Sequence, residues 1–196
     1  MIVVADPLRA EADLAAGRLG CPDCPGRLRG WGHARPRRIR QPDGTKLRVR
    51  PRRARCPACE RTRVLLPGSC LPRRADATAV IGAALVAKAS GHGSRRIAAD
   101  LDRPASTVRA WLRAARDDGH LEWLRVRGTQ TAVRVDIDAT VVARITPAGS
   151  RLGDALTALA AGVAAIRRRF PELTVPDWAL IAVTVRGRLL AAARPG

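Results

Sequence analysis

The chain has 196 residues, with 36 Lys+Arg against 17 Asp+Glu, a formal charge of +19 and a pI near 11.7. That surplus suits a polyanionic partner, nucleic acid above all, rather than an ordinary small-molecule enzyme. The longest uncharged run, Ala155 to Ile166, is twelve residues, short of the roughly 20 that a membrane-spanning helix needs, so neither a span nor a membrane partner is expected. With no Tyr and one Phe, a sheet that stacks several RNA bases on aromatic rings is disfavoured as well.

Residues 1–20 sum to −1 and meet Asp6, Glu11 and Asp13 before any basic cluster. They lack the apolar core of a secretory signal, so a cytoplasmic, nucleoid-associated location with reduced thiols is expected. Residues 21–74 hold 16 basic and 3 acidic side chains and all 5 cysteines. A coding bias towards arginine would spread the charge more evenly, so its concentration here indicates a basic surface.

Cys21-Pro22-Asp23-Cys24 and Cys56-Pro57-Ala58-Cys59 are two C-x-x-C pairs 31 residues apart. Each pair can turn two sulfurs to one side of a tight loop, and two such loops supply the four thiolates that one structural Zn²⁺ prefers. Four thiolates leave no open position for an activated water, so the metal is read as structural and non-catalytic. His33 is an alternative ligand but reads better as a surface or phosphate-contacting residue, and Cys70 as a small buried residue of a linker. Between the pairs, a turn at Pro42-Asp43-Gly44-Thr45 joins Arg35–Gln41 to Lys46–Arg50. Leu47 and Val49 alternate with Lys46, Arg48 and Arg50, which predicts a hairpin with one apolar and one arginine face. Arg37, Arg38, Arg40, Arg48, Arg50, Arg52 and Arg53 are candidate DNA contacts on this zinc ribbon.

Residues 75–118 change period. Asp76 is expected to cap a first helix that Ser90-Gly91-His92-Gly93 ends, and Ser94 to cap a short second one. A tight turn at Asp102-Arg103 leads to a third helix with Pro104 as its first residue. Ser106, Arg109, Arg113 and Arg116 share one face of that helix and Val108, Trp111, Leu112 and Ala115 the other. Three helices with a short second connection predict a helix-turn-helix whose third helix reads a major groove through Ser106, Thr107, Arg109, Arg113 and Arg116. Arg95, Arg96 and Arg103 are candidate phosphate contacts.

Residues 119–196 form an alanine-rich helical region. Ser150 caps a helix from Arg151 to about Arg169, and Pro176-Asp177-Trp178 begins another through about Val183, with Asp154, Glu172 and Asp177 as helix-start acids. Val133, Val135 and Ile137 alternate as in a strand, and Asp136 and Asp138 invite comparison with a nuclease strand. Only 58 residues follow Asp138, too few for such a domain, so the two acids are read as solvated or cap-like and no enzyme is expected. The apolar tail must pack on itself, on a second copy or on a partner.

The segments CPDC, RPRRIRQPDGTKLRVRPRRARCPAC and SRRIAADLDRPASTVRAWLRAA together resemble the N-terminal zinc-ribbon plus helix-turn-helix region of bacterial insertion-sequence transposases, and also a family of small uncharacterised proteins of that layout from high-GC bacteria. The resemblance covers residues 21–118 and tilts residues 129–145 towards helix. It implies double-stranded DNA binding at a mobile element, alone or beside a separate transposase. The expected fold is mainly α with a small β zinc ribbon, in segments 1–20, 21–74, 75–118 and 119–196. The expected function is sequence-specific DNA binding without catalysis. A transcriptional regulator of the same fold and a ribbon that binds RNA or protein are the alternatives.

Overall fold

The computed structural model describes residues 1–136 and 148–191. About 46% is helix and 17% strand, so the mainly α expectation holds. Seven helices occur among the described residues: α1 (Pro7–Ala15), α2 (Thr78–Ala89), α3 (Ser94–Asp100), α4 (Ala105–Ala114), α5 (Asp118–Val135), α6 (Arg151–Arg169) and α7 (Asp177–Thr184). The strands are β1 (Ile2–Val4), β2 (Arg29–His33), β3 (Arg37–Arg40), β4 (Lys46–Val49), β5 (Arg52–Arg55) and β6 (Thr62–Pro67).

The cysteine segment is more elaborate than a single hairpin. One sheet runs β1-β6-β5-β2, with β1 parallel to β6 and the other neighbours antiparallel. The expected hairpin exists as β3–β4, but it is a separate two-stranded sheet inserted between β2 and β5. Its apolar face differs from expectation. Ile39 is buried in the helical core, whereas Leu47, its cross-strand partner, is half exposed and Arg37 pairs with Val49 on that same face.

The four-stranded sheet has a core on each side because successive side chains of a strand point to opposite faces. Leu65 of β6 joins Leu14, Leu28, Ala54 and Cys56 in a small core under α1. Its neighbour Leu66 joins the large core with Ile39, Leu71, Ile81, Leu85, Ile97, Trp111, Leu124, Leu159, Ile181 and Leu189. The tail's apolar residues therefore pack within the chain, and segments separated by composition share one interior. Asp6 caps α1, accepting from the N–H groups of Leu8 and Arg9, and so fixes the helix that covers the small core.

Several local expectations change. Asp76 does not cap α2, whose N-cap is Ala77, and Ser94 is the first residue of α3 rather than its cap. Pro104 stands at the N-cap of α4, one position earlier than expected. Asp76 is instead buried between two arginines: Arg103 Nε donates to it at 2.8 Å and Arg40 Nη2 at 3.0 Å. Arg103 also donates Nη1 to the carbonyls of Leu101 and Asp102 and Nη2 to that of Gln41. These bonds fill the carbonyls of Leu101 and Asp102 and tie the β3–β4 hairpin to the turn before α4.

Residues 133–135 are helical, not extended. Asp136 pairs with Arg168 at 2.7 Å, while Ile137 and Asp138 lie outside the described residues. Ser150 caps α6 as expected, accepting from Gly153 N–H, and Glu172 lies in a turn after that helix. Helices α5 and α6 pack with their backbones in contact: a Cβ on Gly128 would stand 2.4 Å from the carbonyl carbon of Ala158. Among the described residues, no helix is long and apolar enough to cross a membrane.

Two outcomes test this packing. Arg103→Met should cost about 3–5 kcal/mol in urea unfolding because it strands a buried carboxylate, against less than about 1 kcal/mol for Arg96→Met at an exposed pair. Gly128→Val should cost about 1–3 kcal/mol by forcing α5 off α6.

Candidate functional site

Both C-x-x-C segments fold into the same loop. Cys21 N–H donates to Gly26 C=O at 2.8 Å and Cys56 N–H to Arg61 C=O at 3.0 Å, so each loop closes from its first cysteine to the residue five further on. The first loop ends at a bridge between Gly20 and Arg27, and the second joins β5 to β6. Gly26 is required by space, since a Cβ there would stand 2.9 Å from both Cys56 Sγ and Ala58 Cβ. Its N–H donates to Cys24 Sγ at 3.4 Å. In the second loop Glu60 takes a φ of +59°, a left-handed conformation that a non-glycine residue adopts at a cost.

The loops bring Cys21, Cys24, Cys56 and Cys59 together with all four sulfurs within 4.8 Å of one another. Cys21 and Cys59 are 3.6 Å apart and Cys24 and Cys56 3.5 Å, and all are free thiols. Four sulfurs bound at 2.3 Å in a tetrahedron would stand about 3.8 Å apart. The cluster is close to that spacing, so it can hold one metal ion. His33 lies on β2 outside the cluster, and Cys70 is buried elsewhere, in the large core.

Asp23, inside the first loop, locks the two loops together. It accepts from Arg61 at 3.2 Å and from Arg63, which holds its carboxyl below the usual carboxylate range. The sulfurs themselves are in electrostatic conflict. Cys56 is pulled down to about 7 by the N–H of Cys59, against desolvation. Cys24 gains from the Gly26 N–H, yet the Cys56 sulfur beside it, desolvation and the other two sulfurs push it up to about 12. Four adjacent thiolates repel one another, and a cation at their centre removes that repulsion.

The proposed contact arginines divide sharply by environment. Arg103 is withdrawn: it is buried and committed to Asp76 and three carbonyls, so it has no surface for a phosphate. Arg40 is half-buried against the same Asp76. Arg52 is half-buried, pairs with Glu11 at 2.9 Å and donates to Gly32 C=O, and Arg96 meets Asp100 at 3.8 Å. Arg37 and Arg53 are half-buried, while Arg38, Arg48, Arg50 and Arg95 are exposed. On α4, Ser106, Arg109 and Arg113 are exposed and Thr107 is half-buried, opposite buried Val108, Trp111 and Leu112; Arg116, also exposed, lies past the end of the helix, after buried Ala115, rather than on its face. Like charges face each other across the ladders: Arg38 opposes Arg48, and Arg29 opposes Arg55. Such pairs destabilise a sheet by themselves.

Residues 21–111 match a family model described as a domain of unknown function (DUF6431). The match begins on the first cysteine of the cluster and ends on Trp111, the buried anchor of α4, so it takes in both loops, the hairpin and α2 to most of α4. No curated protein and no solved structure matches the chain.

If the sulfurs are ligands, Cys24→Ser should lower bound metal from one equivalent per chain to less than half, by elemental analysis, and lower the melting temperature. Because thiols must lose protons to bind, metal should also leave the parent protein as pH falls. A full equivalent retained by Cys24→Ser would remove that residue from the ligand set.

Proposed function

We propose that this chain is a sequence-specific double-stranded DNA-binding protein built on a structural zinc site, without catalytic activity of its own. Zinc suits the cluster because four sulfurs at near-tetrahedral spacing match a single ion of that geometry. A multi-iron cluster distributes its thiolates over several metal atoms and needs them farther apart. Metal-bound, residues 21–74 form a zinc ribbon, and α2, α3 and α4 act as a helix-turn-helix.

The observation that carries the reading is the division of α4 into a buried apolar face and an exposed face bearing Ser106, Arg109 and Arg113, with exposed Arg116 just beyond the helix and none of these arginines ion-paired among the described residues. Arginines held apart from carboxylates are free to donate bidentately to guanine edges in a major groove. The opposed Arg38 and Arg48 of the hairpin give the same indication, since a phosphate backbone relieves a repulsion that the folded chain retains. In this division of labour the hairpin supplies affinity and α4 supplies choice of sequence. The resemblance to transposase N-terminal regions favours a site on a mobile element, used alone or beside a separate transposase.

Selection of bound duplexes from a random pool, followed by anisotropy titrations, tests this. Arg109→Ala or Arg113→Ala should cost about 1–3 kcal/mol on the selected site and relax base preference. Arg38→Ala should weaken all duplexes alike and reduce the salt slope by about one. If the α4 variants bound every duplex as the parent does, groove reading by that helix would be wrong.

A further inference from the structure

Trp31 has no part in the reading above, yet it is 51% exposed on the edge strand β2, in the middle of the most basic segment of the chain. A large indole left in solvent needs either a partner or a reason. Its setting supplies the reason. The register of β2 against β5 shifts between Gly30 and His33, and Gly32 adopts a φ of +70°. Such irregularities re-aim a side chain out of the regular pleat. The flanking residues, Gly30 and Gly32, carry no side chains to cover the ring's edges.

One side of the indole is already supported. The Arg55 guanidinium lies 4.9 Å from the ring centroid, and it is held there by donating to Glu60 Oε1 at 2.7 Å and to Glu60 C=O. This cation–π contact limits the ring's swing and sets a positive charge beside it. Arg29 stands directly across from Arg55, and Arg53, two residues away on the same strand, shares its face. Neither has a carboxylate partner among the described residues. The result is one aromatic plate on a guanidinium, with further free guanidiniums alongside.

We propose that Trp31 and Arg55 form a one-base stacking site for an unpaired nucleobase of single-stranded DNA next to the duplex held by the rest of the protein. The base stacks on the open part of the indole, and Arg29 and Arg53 meet the flanking phosphates. A single aromatic makes this a site for one base rather than a platform for several. Surrounding arginines favour a polyanion over a cationic or apolar protein partner. The inference rests on the DNA-binding reading for its duplex arm, while its single-stranded arm is read independently.

The test is anisotropy of the full-length, metal-loaded protein with three labelled probes: a blunt duplex, the same duplex with a short thymidine extension, and oligothymidine alone. The parent should bind the extended duplex more tightly than the blunt one. Trp31→Ala should lose about 5- to 150-fold on oligothymidine and abolish the gain from the extension, with blunt-duplex binding unchanged. Trp31→Phe should keep most of the gain, and Arg109→Ala should weaken the selected duplex but not oligothymidine. Oligothymidine binding equal in Trp31→Ala and the parent would overturn the site, as expected of an indole that docks a protein. So would duplex binding by the parent with no gain from the extension, which leaves the DNA-binding reading standing. A parent that bound no probe would overturn both.

Discussion

The buried ion cluster of Asp76 with Arg103 and Arg40 is the joint on which the arrangement of this protein turns. A carboxylate removed from water is tolerated only when its lone pairs are filled, and here two guanidiniums fill them. What matters is where those guanidiniums come from. Arg40 belongs to the hairpin, Arg103 to the turn before α4, and the remaining Arg103 donors reach the end of α3 and the hairpin's Gln41. The hairpin and α4, two of the surfaces that bear arginines without a carboxylate partner among the described residues, are thereby tied to each other. Two basic surfaces joined flexibly would each bind weakly and lose orientational freedom on every encounter; joined rigidly, they lose it once, on folding.

The second constraint is local charge chemistry around the sulfurs. Asp23 holds the two loops together through Arg61 and Arg63, so the approach of the thiols does not depend on the metal alone. The loop hydrogen bonds of Cys21 and Cys56 are matched pair for pair, and Gly26 leaves room for the sulfurs of Cys24 and Cys56. The core beneath them, Leu14, Leu28, Ala54 and Leu65, is small, so an ion held among the sulfurs would contribute directly to the folded state.

Much of this was legible beforehand, for identifiable reasons. Paired C-x-x-C spacing is set by ligand geometry, so the four cysteines could be grouped from their intervals. The two-sided pattern of α4 and the Ser150 cap are local signals that tertiary packing did not override. Arg103 was misread because an arginine at a helix turn looks the same whether its partner is a phosphate or a carboxylate 27 residues earlier; only the fold brings Asp76 there. Strands β2 and β5 are not legible because RGWGH and RRAR lack apolar alternation; β5 pairs with β6 across the second cysteine loop, and with β2 across the inserted hairpin. Val133 and Val135 suggested a strand, yet Gly128 and Ala132 place the same segment against α6, where close helix packing overrides β-branched preference.

The parallel pairing of β1 with β6 has a consequence for the order of assembly. Strand β1 has its partner some 60 residues downstream, and Gly68, the residue after that partner, is pressed against Ala179. Ile2, Val4 and Leu14 therefore find their cover in Leu28, Ala54 and Leu65 only once β6 is in place, while the α5–α6 pair can form from neighbours in sequence. In the folded chain the acids of this edge have local partners: Asp6 caps α1, Glu11 pairs with Arg52 and Asp13 with Arg18.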